Sequence, residues 1–340
     1  MKIAQVSPLF ESVPPKAYGG TERVISYLTE ELVRQGHEVT LFASGDSKTS
    51  AQLVAPCAES VRPDKSPAWL AYHMVQMDLV FELAHTFDVI HFHTEYVHLP
   101  ATRLLRTPCI ATLHGRLDMP HLVHLYKYFS NWPLVSISDS QRAPLAWANW
   151  CRTVYHGLPP DLYTPRSTHG SYFAFIGRVS PEKRLDRAIE IARRCGMPLY
   201  IGAKIDTMDE PYFNEHIKPL LGSAQVEFLG EICEQEKREL LEHASALLFP
   251  IDWPEPFGLV MIEAFACGTP VITYPNGSVP EIMEEGVTGF VVTNQDDAVR
   301  AAQRIDSVDR KLCRAAFERR FTSAHMAENY LRAYRQVINS

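Results

Sequence analysis

The chain has 340 residues, 46% of them hydrophobic, which is enough for two globular domains, each with its own core. A net charge of -7 argues against nucleic acid as the main partner. The first 168 residues carry 14 Lys+Arg against 15 Asp+Glu, with no basic run, so docking on an anionic membrane is disfavoured.

Short apolar runs alternate with longer helical patterns, which predicts parallel sheets with helices on both faces. Strands are expected at 3–6, 39–43, 89–92, 109–113, 134–137 and 153–155. A helix is expected over 21–35, with Val24, Ile25, Leu28, Leu32 and Val33 on one face and Gly36 as its stop. Residues 156–170 are rich in Pro, Gly and Thr and read as a linker. A second alternating series follows, with strands at 172–176, 199–201, 226–229, 246–249, 271–273 and 290–292. Helices at 184–195, 234–244, 258–267 and 295–305 fall between them, and helical patterns at 308–320 and 324–338 end the chain. The expected domains are 1–165, 170–322 and a terminal helix over 323–340. In such sheets ligands bind beyond the carboxyl ends of the strands, so a cleft between two facing domains is the expected site.

The seven cysteines, at 57, 109, 151, 195, 233, 267 and 313, form no Cys-x-x-Cys pair, which suits free thiols in a reducing compartment. Met1-Lys2 leads into an apolar stretch too short for a signal peptide, and no run is long enough to span a bilayer. A cytoplasmic location is the resulting expectation.

Several segments carry candidate chemistry. Gly19-Gly20-Thr21-Glu22-Arg23 follows the first strand and opens a helix, a place where backbone can approach a phosphate; the same pattern also occurs in ordinary loops. Arg178 and Lys183 flank a Pro-containing turn after the first strand of the second half and could neutralise a diphosphate, or simply be solvated. His114 ends a strand beside Gly115, where it could bind a sugar hydroxyl or act as a structural donor. Glu255 and Glu263 are eight residues apart, around the Pro256-Phe257-Gly258 turn. One precedes a helix start and the other lies about a turn and a half inside it, so a phosphate held at that start would have a carboxylate on either side. His91, His93 and Glu95 have ligand spacing on a strand, but nothing nearby completes a metal site. Asp206 with Asp209, and Asp296 with Asp297, read as turn and cap residues. No Walker loop, dinucleotide Gly-x-Gly-x-x-Gly or Gly-x-Ser-x-Gly elbow occurs.

Taken in order, Gly19-Gly20, Leu113-His114-Gly115, Gly177-Arg178 with Lys183, Phe228-Leu229-Gly230, the Glu255 to Glu263 segment, 266–272 and 286–290 resemble the retaining GT-B glycosyltransferases of family 4. The resemblance covers nearly the whole chain. It implies an α/β fold of two facing Rossmann-like domains with the donor bound in the cleft between them, and a terminal helix crossing back to the first domain. It implies that Arg178 and Lys183 hold the donor diphosphate, which Gly20 approaches. Glu255 would bind the sugar hydroxyls with the backbone of Phe257 and Gly258, Leu259 would contact phosphate or ribose, Glu263 the ribose hydroxyls, and His114 the donor sugar. The implied reaction moves a hexose from a nucleotide-diphosphate sugar, UDP-sugar first, to a hydroxyl on a small molecule, glycan or lipid-linked acceptor, with no metal or other cofactor. His156-Gly157 departs from the Asn-Gly of many relatives. A GT-B-like epimerase or phosphorylase would need acid/base groups or a phosphate or cofactor-lysine site that the sequence does not display. A non-catalytic nucleotide-sugar binder is the other alternative.

Overall fold

The computed structural model describes residues 1–17, 19–62, 67–222 and 225–340. The chain folds into two compact units, Met1–Pro159 with Ser323–Ser340, and Pro160–Thr322. The division falls inside the expected linker.

The first unit is built on β1 (Lys2–Val6), β2 (Glu38–Phe42), β3 (Gln52–Val54), β4 (Val89–Phe92), β5 (Cys109–Thr112), β6 (Leu134–Ser136) and β7 (Trp150–Thr153). They form one parallel sheet in the order β3-β2-β1-β4-β5-β6-β7. Strands such as β4 are buried along their whole length, as expected for a sheet covered on both faces. Ala4, Val6, Phe42, Ile90, Phe92, Ala111 and Leu113 form its core with Val80 and Tyr126. The helix Gly20–Arg34 ends at Gln35, followed by Gly36 at φ +83°, a left-handed conformation that glycine adopts without steric cost. The last helix, Ser323–Ile338, packs on Gly20–Arg34, β5 and β7. It presents Tyr330 and Tyr334, both fully buried.

Several elements of this unit lie outside the sequence expectations, among them β3 and the helices Trp69–Leu83 and Pro120–Tyr128. The helix Trp69–Leu83 mixes the usual pattern, since His73 and Gln76 are buried beside Met77 and Val80 while Leu70, Met74 and Val75 are about half exposed. Strand β7 also ends at Thr153 rather than starting there, because its ladder with β6 pairs Leu134 with Trp150 and Ser136 with Thr153.

The second unit contains β8 (Phe173–Arg178), β9 (Leu199–Lys204), β10 (Val226–Gly230), β11 (Ala246–Phe249), β12 (Val271–Thr273) and β13 (Gly289–Val291). They form a parallel sheet in the order β10-β9-β8-β11-β12-β13. Phe173, Phe175, Ile189, Ile201, Leu248 and Ile272 belong to its core. The guanidinium of buried Arg310 ties the start of this unit to its sheet, donating to the carbonyls of Arg166 (3.0 Å) and Ala244 (2.7 Å) and to Thr269 Oγ1 (2.7 Å). Among the described residues no helix is long and apolar enough to cross a membrane.

Candidate donor site

Each sheet reverses its strand order once, between β1 and β4 in the first unit and between β8 and β11 in the second. The loops leaving the carboxyl ends of such strands diverge and open a crevice, the usual ligand position in a doubly wound sheet. The candidate residues lie on these loops and on that of the adjacent strand β5. Gly19 and Gly20 follow β1, His93 follows β4, and His114 follows β5; Lys183 follows β8 and Glu255 follows β11.

In the second unit the residues after β11 turn back over the sheet end. Glu255 is 9% exposed and forms an ion pair with Lys183. Trp253 Nε1 donates to the same carboxylate oxygen at 2.9 Å. Lys183 Nζ also lies 5.0 Å from the Trp253 ring centre and 5.5 Å from that of Phe249, so the ammonium is held by one carboxylate and two aromatic faces. The turn is braced from the segment after β12. Ser278 donates its N–H to the Glu255 carbonyl (3.0 Å) and its hydroxyl to the Phe257 carbonyl (2.8 Å). Gly277, at φ +61°, lets that segment approach; a Cβ there would meet the Glu255 backbone N and O at 2.3 Å. Gly258, at φ +78°, then starts the helix Leu259–Ala266, whose first N–H groups have no intrahelical acceptor. A partial positive charge therefore faces the space beside Glu255 and Lys183.

Glu263 is the fifth residue of that helix, about one turn from its start, and 3% exposed. Its partner is Lys237 at 2.5 Å, which Glu234 also approaches at 3.1 Å. Each carboxylate of the pair thus has its own lysine, so the two do not form an acid/base couple. The structure does not bring Arg178 and Lys183 onto a shared partner either. Arg178 meets Glu182 (2.7 Å), Asp209 (3.4 Å) and Asp206 (3.7 Å). Asp206 and Asp209, read from sequence as turn residues, are therefore counter-charges to an arginine. The cap of the helix Gln295–Gln303 is Asn294, whose Oδ1 accepts the Asp297 N–H at 2.9 Å, while Asp296 and Asp297 lie in its first turn. An open cavity of about 600 Å³ lies to one side, lined by Glu182, Arg184, Asp186, Tyr212 and Asp252; Arg184 is already paired with both Asp186 (2.8 Å) and Asp252 (2.9 Å).

In the first unit, Gly19 packs where a Cβ would meet the Pro15 ring at 2.8 Å, whereas Gly20 has open space around its Cα. Glu22, two residues on, is buried; burial raises its carboxyl from 4.5 to about 7, with the charge of Glu11 adding to the rise. His114 Nε2 lies 2.9 Å from His93 Nδ1, and its ring stacks on His156 with centres 5.5 Å apart. His156, the departure from the usual Asn, is thus a partner of His114. Burial holds the His114 ring at about 3 and those of His91, His93 and His156 well below 6.5, so all four are neutral near pH 7.

His91, His93 and Glu95 do not converge on a common point. All four ring nitrogens of the two histidines are hydrogen-bonded: His91 to Tyr334 (2.8 Å) and Thr112 (2.7 Å), His93 to His114 (2.9 Å) and Gln5 (2.8 Å). Glu95 leaves the strand at φ +51° and accepts from the N–H groups of His114 and Gly115. Burial still lifts its carboxyl to about 6.

Sequence reasoning did not single out Lys237, Trp253, Gly277, Gln5, Tyr330 or Tyr334. A local signal existed for two: Tyr330 and Tyr334 share one face of a helix at i, i+4. The others become partners only through the tertiary fold.

Two doubly wound parallel sheets, the second with a lysine and carboxylates beside a helix start beyond its strand ends, are the architecture expected of a GT-B glycosyltransferase. Comparison with known proteins agrees. A profile described as Glycosyltransferase Family 4 matches residues 18–179, and one described as Glycosyl transferases group 1 matches 165–315. The chain is 26% identical to the uncharacterized glycosyltransferase MJ1607 of Methanocaldococcus jannaschii, over 90% of this chain and 89% of that one. It is 24% identical to the alpha-maltose-1-phosphate synthase of Mycolicibacterium smegmatis, over 98% and 99%. Among solved structures it resembles AviGT4, a glycosyltransferase involved in avilamycin A biosynthesis (TM-score 0.77, 25% identity, 100% of this chain and 98% of that one). It shares the fold of Anabaena HepE, crystallised with UDP and glucose (TM-score 0.76, 20% identity, 99% and 100%). The chain belongs to the GT-B glycosyltransferases, its two halves matching the family 4 and group 1 profiles.

Proposed function

We propose that the protein moves a hexose from a UDP-sugar to a hydroxyl acceptor with retention of anomeric configuration and without a metal ion. The observation that carries this reading is the Lys183–Glu255 pair beside the start of the helix Leu259–Ala266. A diphosphate at that start would meet backbone N–H groups of Phe257, Gly258 and Leu259, and would draw Lys183 from its carboxylate; Glu255, released, would accept hydrogen bonds from sugar hydroxyls. Glu263, a turn further in, takes the ribose hydroxyls, and Arg178 adds positive charge on the diphosphate. The same reading assigns Gly19-Gly20 contacts with the diphosphate and His114 a contact with the donor sugar.

As the bond between the anomeric carbon and the phosphate oxygen breaks, negative charge grows on the leaving group, where Lys183, Arg178 and the helix start stabilise it. The leaving phosphate oxygen takes the proton of the acceptor hydroxyl while that hydroxyl oxygen bonds to the same face of the anomeric carbon. UDP as the nucleotide draws support from HepE, whose structures hold UDP and UDP-glucose. A sugar or sugar phosphate as acceptor draws support from the alpha-maltose-1-phosphate synthases and the D-inositol 3-phosphate glycosyltransferases among the relatives.

The test is a thermal-shift screen of UDP-, GDP-, ADP- and dTDP-sugars, since a ligand that binds only the folded state raises its stability. The stabilising donor is then offered with acceptors in the presence of EDTA, and the anomeric configuration of the product is read by NMR. Glu263→Ala should weaken nucleotide binding and Lys183→Ala should mainly lower kcat. Wild-type turnover by both variants would refute the assignment, and donor consumption that ignores the acceptor would favour the alternatives.

A further inference from the structure

Gln5, His91, His93, Tyr330 and Tyr334 are each no more than 1% exposed, yet all are polar and all are hydrogen-bonded. In such a network each proton has one place to go, so its direction can be followed bond by bond. The Gln5 amide nitrogen donates to the Tyr334 hydroxyl oxygen at 2.9 Å. The one Thr112 proton goes to the Tyr330 oxygen at 3.1 Å, so Thr112 Oγ1 accepts from His91 Nε2–H at 2.7 Å, and the bare His91 Nδ1 takes the Tyr334 proton at 2.8 Å. In the other direction, the Gln5 carbonyl oxygen accepts from His93 Nε2 at 2.8 Å. The neutral His93 ring has one proton, so its Nδ1 is a bare lone pair and accepts from His114 Nε2–H at 2.9 Å. His114 is then left with a bare Nδ1, and that atom is buried with no hydrogen-bond partner.

We infer that Gln5 and His93 are positioning residues that lock His114 in its Nε2–H tautomer, so that Nδ1 accepts a hydrogen bond from a sugar hydroxyl and does not serve a phosphate. A buried acceptor without a partner is a rare and costly state, which a ligand O–H relieves. A phosphate oxygen carries no proton at neutral pH and would face lone pair against lone pair. The ligand assignment rests on the donor role proposed above for His114; the tautomer does not.

The test uses the full chain. Long-range proton–nitrogen spectra of the histidine rings, assigned with His93→Gln and His114→Gln, should give the Nε2–H pattern for both rings, unchanged from pH 6 to 8. Gln5→Met, which removes the acceptor from His93, should leave His114 as a mixture of tautomers. With UDP and UDP-glucose as probes, Gln5→Met should leave the affinity for UDP unchanged and weaken UDP-glucose about 10-fold, the scale of one neutral hydrogen bond. A proton on Nδ1 of His114 in the wild-type chain overturns the inference, as does equal weakening of both probes. If the wild-type chain binds neither probe, the donor reading and the ligand given to His114 fall together, while the spectrum still decides the lock. Should Gln5→Met not fold, the wild-type spectrum alone decides it.

Discussion

Replacing Glu22 by Gln should stabilise the first unit, and by an amount that depends on pH. Glu22 lies in the first turn of the helix Gly20–Arg34 and is 5% exposed. Its carboxyl titrates near 7 in the folded chain against an ordinary 4.5. Desolvation is the main cause, so the folded state keeps a proton that the unfolded state has released. Stability from this group is therefore highest below pH 4.5, falls between 4.5 and about 7, and is flat above. At about 1.4 kcal/mol per pH unit, the raised carboxyl costs the fold about 3 kcal/mol at pH 8.5, where it is ionised, and about 1 kcal/mol at pH 5, where it holds a proton the unfolded chain has largely released. Glu22→Gln, which has nearly the same shape and no charge to bury, should return most of each amount. Amide hydrogen exchange in β1 and in the helix Gly20–Arg34 reads the first unit separately from the second, which a single melting curve does not. Equal protection gains at pH 5 and pH 8.5 would refute the reasoning, since a gain from packing or helix propensity has no such dependence.

Lys237→Met should strand Glu263, whose side chain is 4% exposed, and cost the second unit about 3 kcal/mol. That is roughly 6–12 °C in Tm by calorimetry, and adding Glu263→Met should recover part of it. Gly277→Ala places a methyl against the Glu255 backbone and should displace the carboxylate, lowering kcat/KM roughly 100-fold while UDP affinity, which the proposed function assigns to Glu263, changes little. Trp253→Phe keeps an aromatic face for Lys183 but removes the 2.9 Å hydrogen bond to Glu255, so a fall of about 10-fold in kcat/KM is expected from steady-state kinetics.

The parallel architecture was legible because it rests on local pattern. The strands buried on both faces read as unbroken apolar runs, and helices such as Leu185–Cys195, with Gly196 at φ +66° as their stop, carry their own period and punctuation. The helix Trp69–Leu83 was not legible for the opposite reason. His73 Nε2 accepts from the Leu9 N–H (3.3 Å) and its Nδ1–H donates to the Trp69 carbonyl (2.7 Å), and Gln76 Nε2 donates to the Ser7 carbonyl at 2.9 Å. Two of its polar residues thus share the buried face with Met77 and Val80 while apolar residues stand exposed, so no clean apolar stripe marks it.

At the candidate site the residue types declared themselves, because a Gly-Gly before a helix, a Pro-Phe-Gly turn and flanking carboxylates all have short-range causes. Their partners did not. That Glu255 is joined to Lys183 across 72 residues, Glu263 to Lys237 across 26 and Gln5 to Tyr334 across 329 follows from how each unit orders its strands and packs its helices on them. Spacing along the chain determined which groups stand at the strand ends. Only the tertiary fold decided which charge each one meets and, through the buried chain from Tyr334 to His114, which nitrogen holds the proton. Such pairings are set by three-dimensional proximity and desolvation, and neither is encoded in any local stretch.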